Sequence, residues 1–131
     1  MSCFEKYGYV PDEARIASAV EEAGKRKIDP SCREDLRNCF SMMDLTSLHP
    51  QDTAASVASL VRKAGEVVSE FPGYPLPASV CVFSNFASVV RDERVSPSLH
   101  VTVVSACFPS SQSFLDVKLL ECRMAVRDGA D

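Results

Sequence analysis

Six cysteines, two histidines and five lysines are the residues of this chain whose types lend themselves to metal, thiol or amine chemistry. The cysteines stand at positions 3, 32, 39, 81, 107 and 122. No two form a CxxC pair, and the clustered Cys/His spacing of a structural zinc site is missing, so no metal is expected. Cys81 and Cys107 sit inside apolar runs, where a free thiol behaves as a small hydrophobe. A lysine becomes a nucleophile only where burial or a neighbouring cation lowers its pKa. Lys6, Lys25, Lys27, Lys63 and Lys118 all fall off the expected strands, and the plain reading of each is a solvated surface amine. Asp44 and Thr46 are different. They follow a short apolar run, where a carboxylate and a hydroxyl at a strand end can meet a substrate or merely cap the next loop. His49 lies in the loop after them, and His100 opens a later strand.

Positioning these groups takes an alternation of strands and helices. Pro11-Asp12-Glu13 opens a helix with Ile16, Ala19, Val20 and Ala23 at helical spacing, ended by Gly24 and the basic cluster Lys25-Arg26-Lys27. A second short helix is expected from Ser31 to about Asn38. Cys39 to Leu45 then reads as a strand. Asp52-Thr53 caps a helix whose apolar face is Val57, Leu60, Val61, Ala64, Val68 and Phe71. Ala78 to Phe83 is a second strand, followed by a short helix through Phe86, Val89 and Val90. Leu99 to Val104 is a third strand. Ser113-x-x-Asp116 resembles a capping box, and the helix after it should carry Phe114, Val117, Leu120 and Met124 inward before closing at Gly129. Strands buried on both faces and separated by helices imply a parallel sheet with right-handed crossovers.

The chain has 131 residues, room for one domain or part of a larger one, and a net charge of −4. That mild acidity gives no sequence-wide case for nucleic acid or an anionic membrane surface. No apolar run approaches the roughly 20 residues of a membrane helix. Glu5, Asp12 and Glu13 interrupt the first twenty residues, so no secretory signal is expected there. Together with the irregular cysteine spacing, this favours reduced thiols and a cytoplasmic location.

Four segments resemble the deoxyribose-phosphate aldolase family. Met43-Asp44-Leu45-Thr46-Ser47-Leu48 resembles its "DLT-(S/T)-L" segment after the first strand. Ala78 to Phe86 is similar to its second strand, with Ser84 where proline is common. Cys107-Phe108-Pro109 resembles the "GFP" turn after the third, with Cys107 in place of glycine. Glu121 to Asp131 resembles the "E-x-x-x-A-x-x-x-GAD" close of the third helix. The motifs come in family order and span roughly residues 36–131.

The resemblance implies an α/β fold: a partial (β/α)₈ TIM barrel made of its first three βα units, residues 36–131, after an N-terminal helical extension, residues 1–35. It implies a lyase, a class I aldolase that cleaves 2-deoxyribose 5-phosphate to glyceraldehyde 3-phosphate and acetaldehyde through a lysine Schiff base. Such an enzyme serves deoxyribonucleotide catabolism and uses no cofactor. Asp44, Thr46 and Cys81 are the positions it assigns to the substrate pocket. Its Schiff-base lysine and proton-relay aspartate would lie beyond Asp131. Hence these 131 residues are expected to be inactive alone, as the product of a truncated or split reading frame. Three parallel strands cannot close a barrel, and their open edges invite self-association. The competing reading is a non-catalytic α/β interaction module that pairs through that edge. A flavodoxin-like nucleotide domain lacks the Gly-rich phosphate loop it would need.

Overall fold

The computed structural model describes residues 6, 8 and 10–131. Cys3 and Glu5 lie outside the described residues. The chain divides into two compact units, one ending at Cys32 and the other spanning Arg33–Asp131.

The first unit holds helix α1, Glu13–Lys25. Asp12 caps it by accepting the Arg15 N–H at 2.9 Å, satisfying one of the orphan donors of the first turn. Ion pairs one turn apart, Glu21–Lys25 at 2.7 Å and Glu22–Arg26 at 2.9 Å, lace its last turns. None of its residues is buried.

The second unit runs α2 (Arg33–Ser41), β1 (Asp44–Thr46), α3 (Ala54–Glu70), β2 (Ser79–Phe83), a 3₁₀ turn (Ser84–Phe86), α4 (Ala87–Glu93), β3 (His100–Val104) and α5 (Leu115–Arg127). The strands form one parallel sheet in the order β1-β2-β3. Parallel neighbours joined by helices give the βα rhythm expected from the sequence.

Several boundaries and faces differ from the expectation. Cys39, Phe40 and Ser41 finish α2 instead of starting a strand, and β1 begins only at Asp44. A short apolar run fits either element by periodicity. Here helical capping wins: the Ser41 hydroxyl donates to Asn38 O at 2.7 Å, and Phe40 packs edge-on against Tyr74, centroids 6.2 Å apart. The box at Ser113 and Asp116 does not form, because α5 starts after Phe114 with no side-chain cap. Thr53 and Ser56, by contrast, make a reciprocal capping box at α3.

The core lies on one side of the sheet. Val57, Val61 and Ala64 of α3, Ala87 and Val90 of α4, and Leu99, Val80, Val82 and Val101 beside or on the strands are all fully buried. Burying each Val or Leu is worth about 1.5–3 kcal/mol. Val68 and Phe71, expected on the same α3 face, are exposed because the helix outruns the sheet. On α5 only Ala125 is buried; Val117, Leu120 and Met124 share its face and border a hollow of about 210 Å³ against the 3₁₀ turn but stay half-exposed, and Phe114, the cap residue, is exposed. The central strand β2 is buried on both faces, Val80 and Val82 on the core side and Ser79 and Cys81 on the other.

The close of α5 explains Gly129. Its φ of +108° is in the region that favours glycine. Gly129 N–H donates to Val126 O at 3.1 Å and Ala130 N–H to Ala125 O at 3.0 Å, the paired bonds of a Schellman close. The chain then turns alongside β3, where Asp131 N–H donates to Val101 O at 3.0 Å.

Candidate functional site

The sheet face turned away from the core cluster carries the polar residues. Register sets them in rows: Asp44 beside Ser79 beside His100, then Thr46 beside Cys81 beside Thr102. Alternation along each strand forces this arrangement, since Leu45, Val80 and Val101 between them point to the core.

A cross-strand side-chain hydrogen bond closes the first row. The Ser79 hydroxyl, buried to 2% exposure, donates to Asp44 Oδ1 at 2.5 Å. Thr46 stands beside Cys81 in register. Burial pushes the Cys81 thiol up from its ordinary pKa; the neighbouring Thr46 hydroxyl opposes this, and the Asp44 charge adds to the rise. Cys81 therefore sits in the sheet as a neutral thiol, not as a nucleophile. Asp44 is the first residue of β1 and Thr46 the last. Only Thr46 of the two occupies the strand's C-terminal end. All three candidate residues, Asp44, Thr46 and Cys81, are nevertheless brought together on one face.

Loops at the C-terminal ends of the strands are held by carboxylates. Asp52 accepts the Ser47 hydroxyl at 2.7 Å and the His49 N–H at 3.0 Å. His49 Nδ1 lies 3.0 Å from the Ser47 oxygen, and the ring is exposed. Glu121 of α5 takes the Ser84 hydroxyl on Oε1 and the Cys107 N–H on Oε2, both at 2.9 Å. Ala106 and Cys107 both have left-handed φ, 56° and 61°, a conformation that costs a residue with a Cβ roughly 1–2 kcal/mol. The Glu121 bond helps hold that turn. Residue types alone did not mark Glu121 as a loop anchor; its place in the third-helix motif was the available signal.

His100 stands at the start of β3, remote from these loops. Its Nδ1 is 3.1 Å from Asp131 Oδ2, which also accepts Arg94 Nη1 at 3.0 Å and the Val101 N–H at 2.9 Å. The Val101 N–H, helped by His100 and Arg94, holds the Asp131 carboxyl below its usual range.

Within the second unit neither lysine, Lys63 or Lys118, lies on a strand of the polar face. Lys63 is exposed on α3, where it borders a small apolar hollow of about 160 Å³ together with Asp44 and Leu45. Lys118 is half-buried on α5, Lys25 is ion-paired, and Lys6 and Lys27 are exposed. Among the described residues, no three His, Cys, Asp or Glu side chains gather to hold a metal. No helix there is long and apolar enough to cross a membrane.

A parallel sheet with the core cluster on one face, polar residues on the other and anchored loops at the strand ends is the wall of an α/β barrel-type fold. Comparison with known proteins narrows the class. No family model matches the chain. It is 31% identical over 121 residues to a Caenorhabditis elegans protein named "Putative deoxyribose-phosphate aldolase", covering 91% of this chain and 40% of that protein. The fold matches a crystal structure from Coccidioides immitis described as a "putative deoxyribose-phosphate aldolase", with a TM-score of 0.62 and 20% identity. That match covers 92% of this chain and 46% of the other. The chain is thus similar, over nearly all of its own length, to proteins named as deoxyribose-phosphate aldolases, and it spans less than half the length of these matched relatives.

Proposed function

We propose that this chain forms one wall of a deoxyribose-phosphate aldolase barrel, its first three βα units, with residues 1–35 as a helical extension. Asp44, Thr46 and Cys81 line the sugar-phosphate side of that wall. The observation that carries the reading is their shared placement on the sheet face turned away from the core cluster, with buried Ser79 as the Asp44 partner. Asp44 supplies a carboxylate that can accept a substrate hydroxyl, Thr46 a donor at the strand end, and Cys81 a neutral, close-packed floor. Family chemistry joins substrate to a lysine amine as a Schiff base, without a cofactor, within cytoplasmic deoxyribonucleotide catabolism. Among the described residues neither Lys63 nor Lys118 presents a desolvated amine on that face, which supports the reading that the 131-residue chain is inactive by itself.

The test is reductive trapping. Incubation with 2-deoxyribose 5-phosphate and borohydride should leave no mass adduct on any lysine of the 131-residue chain. An adduct on Lys63 or Lys118 overturns the proposal.

A second reading rests on a separate observation, the exposed apolar side chains of α5 together with the open edges of a three-stranded sheet. In that reading the unit is a non-catalytic α/β module that self-associates through its edge. Size-exclusion chromatography at micromolar concentration separates the two. A discrete, well-folded oligomer favours the module, and a loose or aggregating chain favours the barrel wall.

A further inference from the structure

An open cleft of about 590 Å³ lies between α2 and Pro75. α2 leads into β1 and Pro75 precedes β2, so the cleft belongs to the end of the sheet where strands begin. The loops held by Asp52 and Glu121 are at the other end. Its lining is Arg33, Glu34, Arg37, Asn38, Ser41 and Pro75. Arg33, Arg37 and Ser41 recur every four residues, which puts them on one helix stripe. The facing turn is fixed: Tyr74 N–H donates to Phe71 O at 3.0 Å, and the Tyr74 ring packs on both Phe40 and Phe71.

The two guanidiniums differ from most others in this unit. Arg62, Arg91, Arg94 and Arg127 each hold a carboxylate. Arg33 and Arg37 hold none among the described residues, although Glu34 shares their cleft. A Cβ on Gly73 would lie 3.8 Å from Arg37 Nη2, so this guanidinium reaches across to the facing turn. The Ser41 hydroxyl is already committed to Asn38 O. The free donors are thus two planar forks one helical turn apart and the Asn38 amide. One acid against two bases leaves the lining net cationic. Paired forks match the three non-bridging oxygens of a phosphate monoester, which accept bidentate bonds.

We infer that this cleft binds the phosphate group of a small phosphate monoester through Arg33 and Arg37. The site is distinct from the polar sheet face, and the inference does not rest on the aldolase reading. Its test is an NMR titration of the ¹⁵N-labelled full chain with inorganic phosphate and, separately, glycerol phosphate, at constant ionic strength set with sodium chloride. Saturable shifts centred on Arg33, Arg37 and Asn38 are expected. R33A and R37A, both at exposed positions, should each weaken binding roughly tenfold, the loss of a charge-assisted bond. R37K should recover only part, because an ammonium cannot fork. Tighter binding of glycerol phosphate assigns the site to esters; equal binding assigns it to the bare oxyanion. Non-saturating shifts in the wild-type chain, or saturable binding unchanged in both alanine variants, overturn the inference.

Discussion

The hydroxyl of Ser79 and the carboxylate of Asp44 meet across β1 and β2 at 2.5 Å, the first buried and the second open to solvent. Their unequal burial makes the pair asymmetric. D44A strands a buried hydroxyl and should destabilise the unit by about 1–3 kcal/mol. S79A leaves a carboxylate that water can reach, and should cost less than about 1 kcal/mol by the same accounting. Urea denaturation of the two variants checks the order; a larger loss for S79A would refute it.

Two glycines resist replacement for different reasons. Gly65 is inside α3, where alanine would ordinarily gain about 1 kcal/mol of helix propensity. A Cβ there would lie 2.5 Å from Val95 Cγ1, so G65A should destabilise despite that gain. Gly129 combines its left-handed φ with a would-be Cβ contact of 2.6 Å to Arg91 Cδ. G129A should lower the melting temperature more than G24A, whose Cβ would meet nothing within 4 Å. Thermal melts of the three variants measure both statements.

Asp131 predicts a pH dependence. Its carboxyl is held below the ordinary value, first by the Val101 N–H and then by His100 and Arg94. A depressed pKa in the folded state means the unfolded chain takes up protons first as pH falls. The contribution is complete above the unfolded value of about 3.9 and disappears as pH drops through the lower folded value. D131N should therefore flatten the loss of melting temperature between about pH 5 and pH 3. An unchanged slope in that variant would remove Asp131 from the account.

Cys81 should resist alkylation. Its thiol is buried and its pKa is raised, so little thiolate exists at neutral pH. Iodoacetamide at pH 7.5 should leave Cys81 unmodified in the folded chain and label it after denaturation, as read by peptide mass spectrometry. Labelling of native Cys81 at the rate of half-buried Cys107 or Cys122 would contradict this.

Much of the fold was legible because periodicity and caps agreed. The α3 stripe through Val57, Val61 and Ala64, the Thr53 cap, the apolar runs of β2 and β3, and the Gly129 close all declare themselves locally. The start of β1 did not. Cys39 and Phe40 satisfy a strand or a helix end equally well, and the choice was made by Tyr74, more than thirty residues away. The face of α5 was legible but its burial was not: Val117, Leu120 and Met124 turn toward the 3₁₀ turn, yet only Ala125 is buried.

The candidate site was legible to a similar degree. Residue type and order singled out Asp44, Thr46 and Cys81. Ser79 escaped notice because a serine amid β-formers looks incidental until register sets it beside Asp44. Glu121 escaped because its partners, a hydroxyl after β2 and an amide after β3, are far apart in sequence.

Glu121 has a mechanical consequence. With one oxygen on each of two separate loops, the carboxylate makes them a single hinged plate carried by α5. A push on the helix cannot tilt one rim without dragging the other.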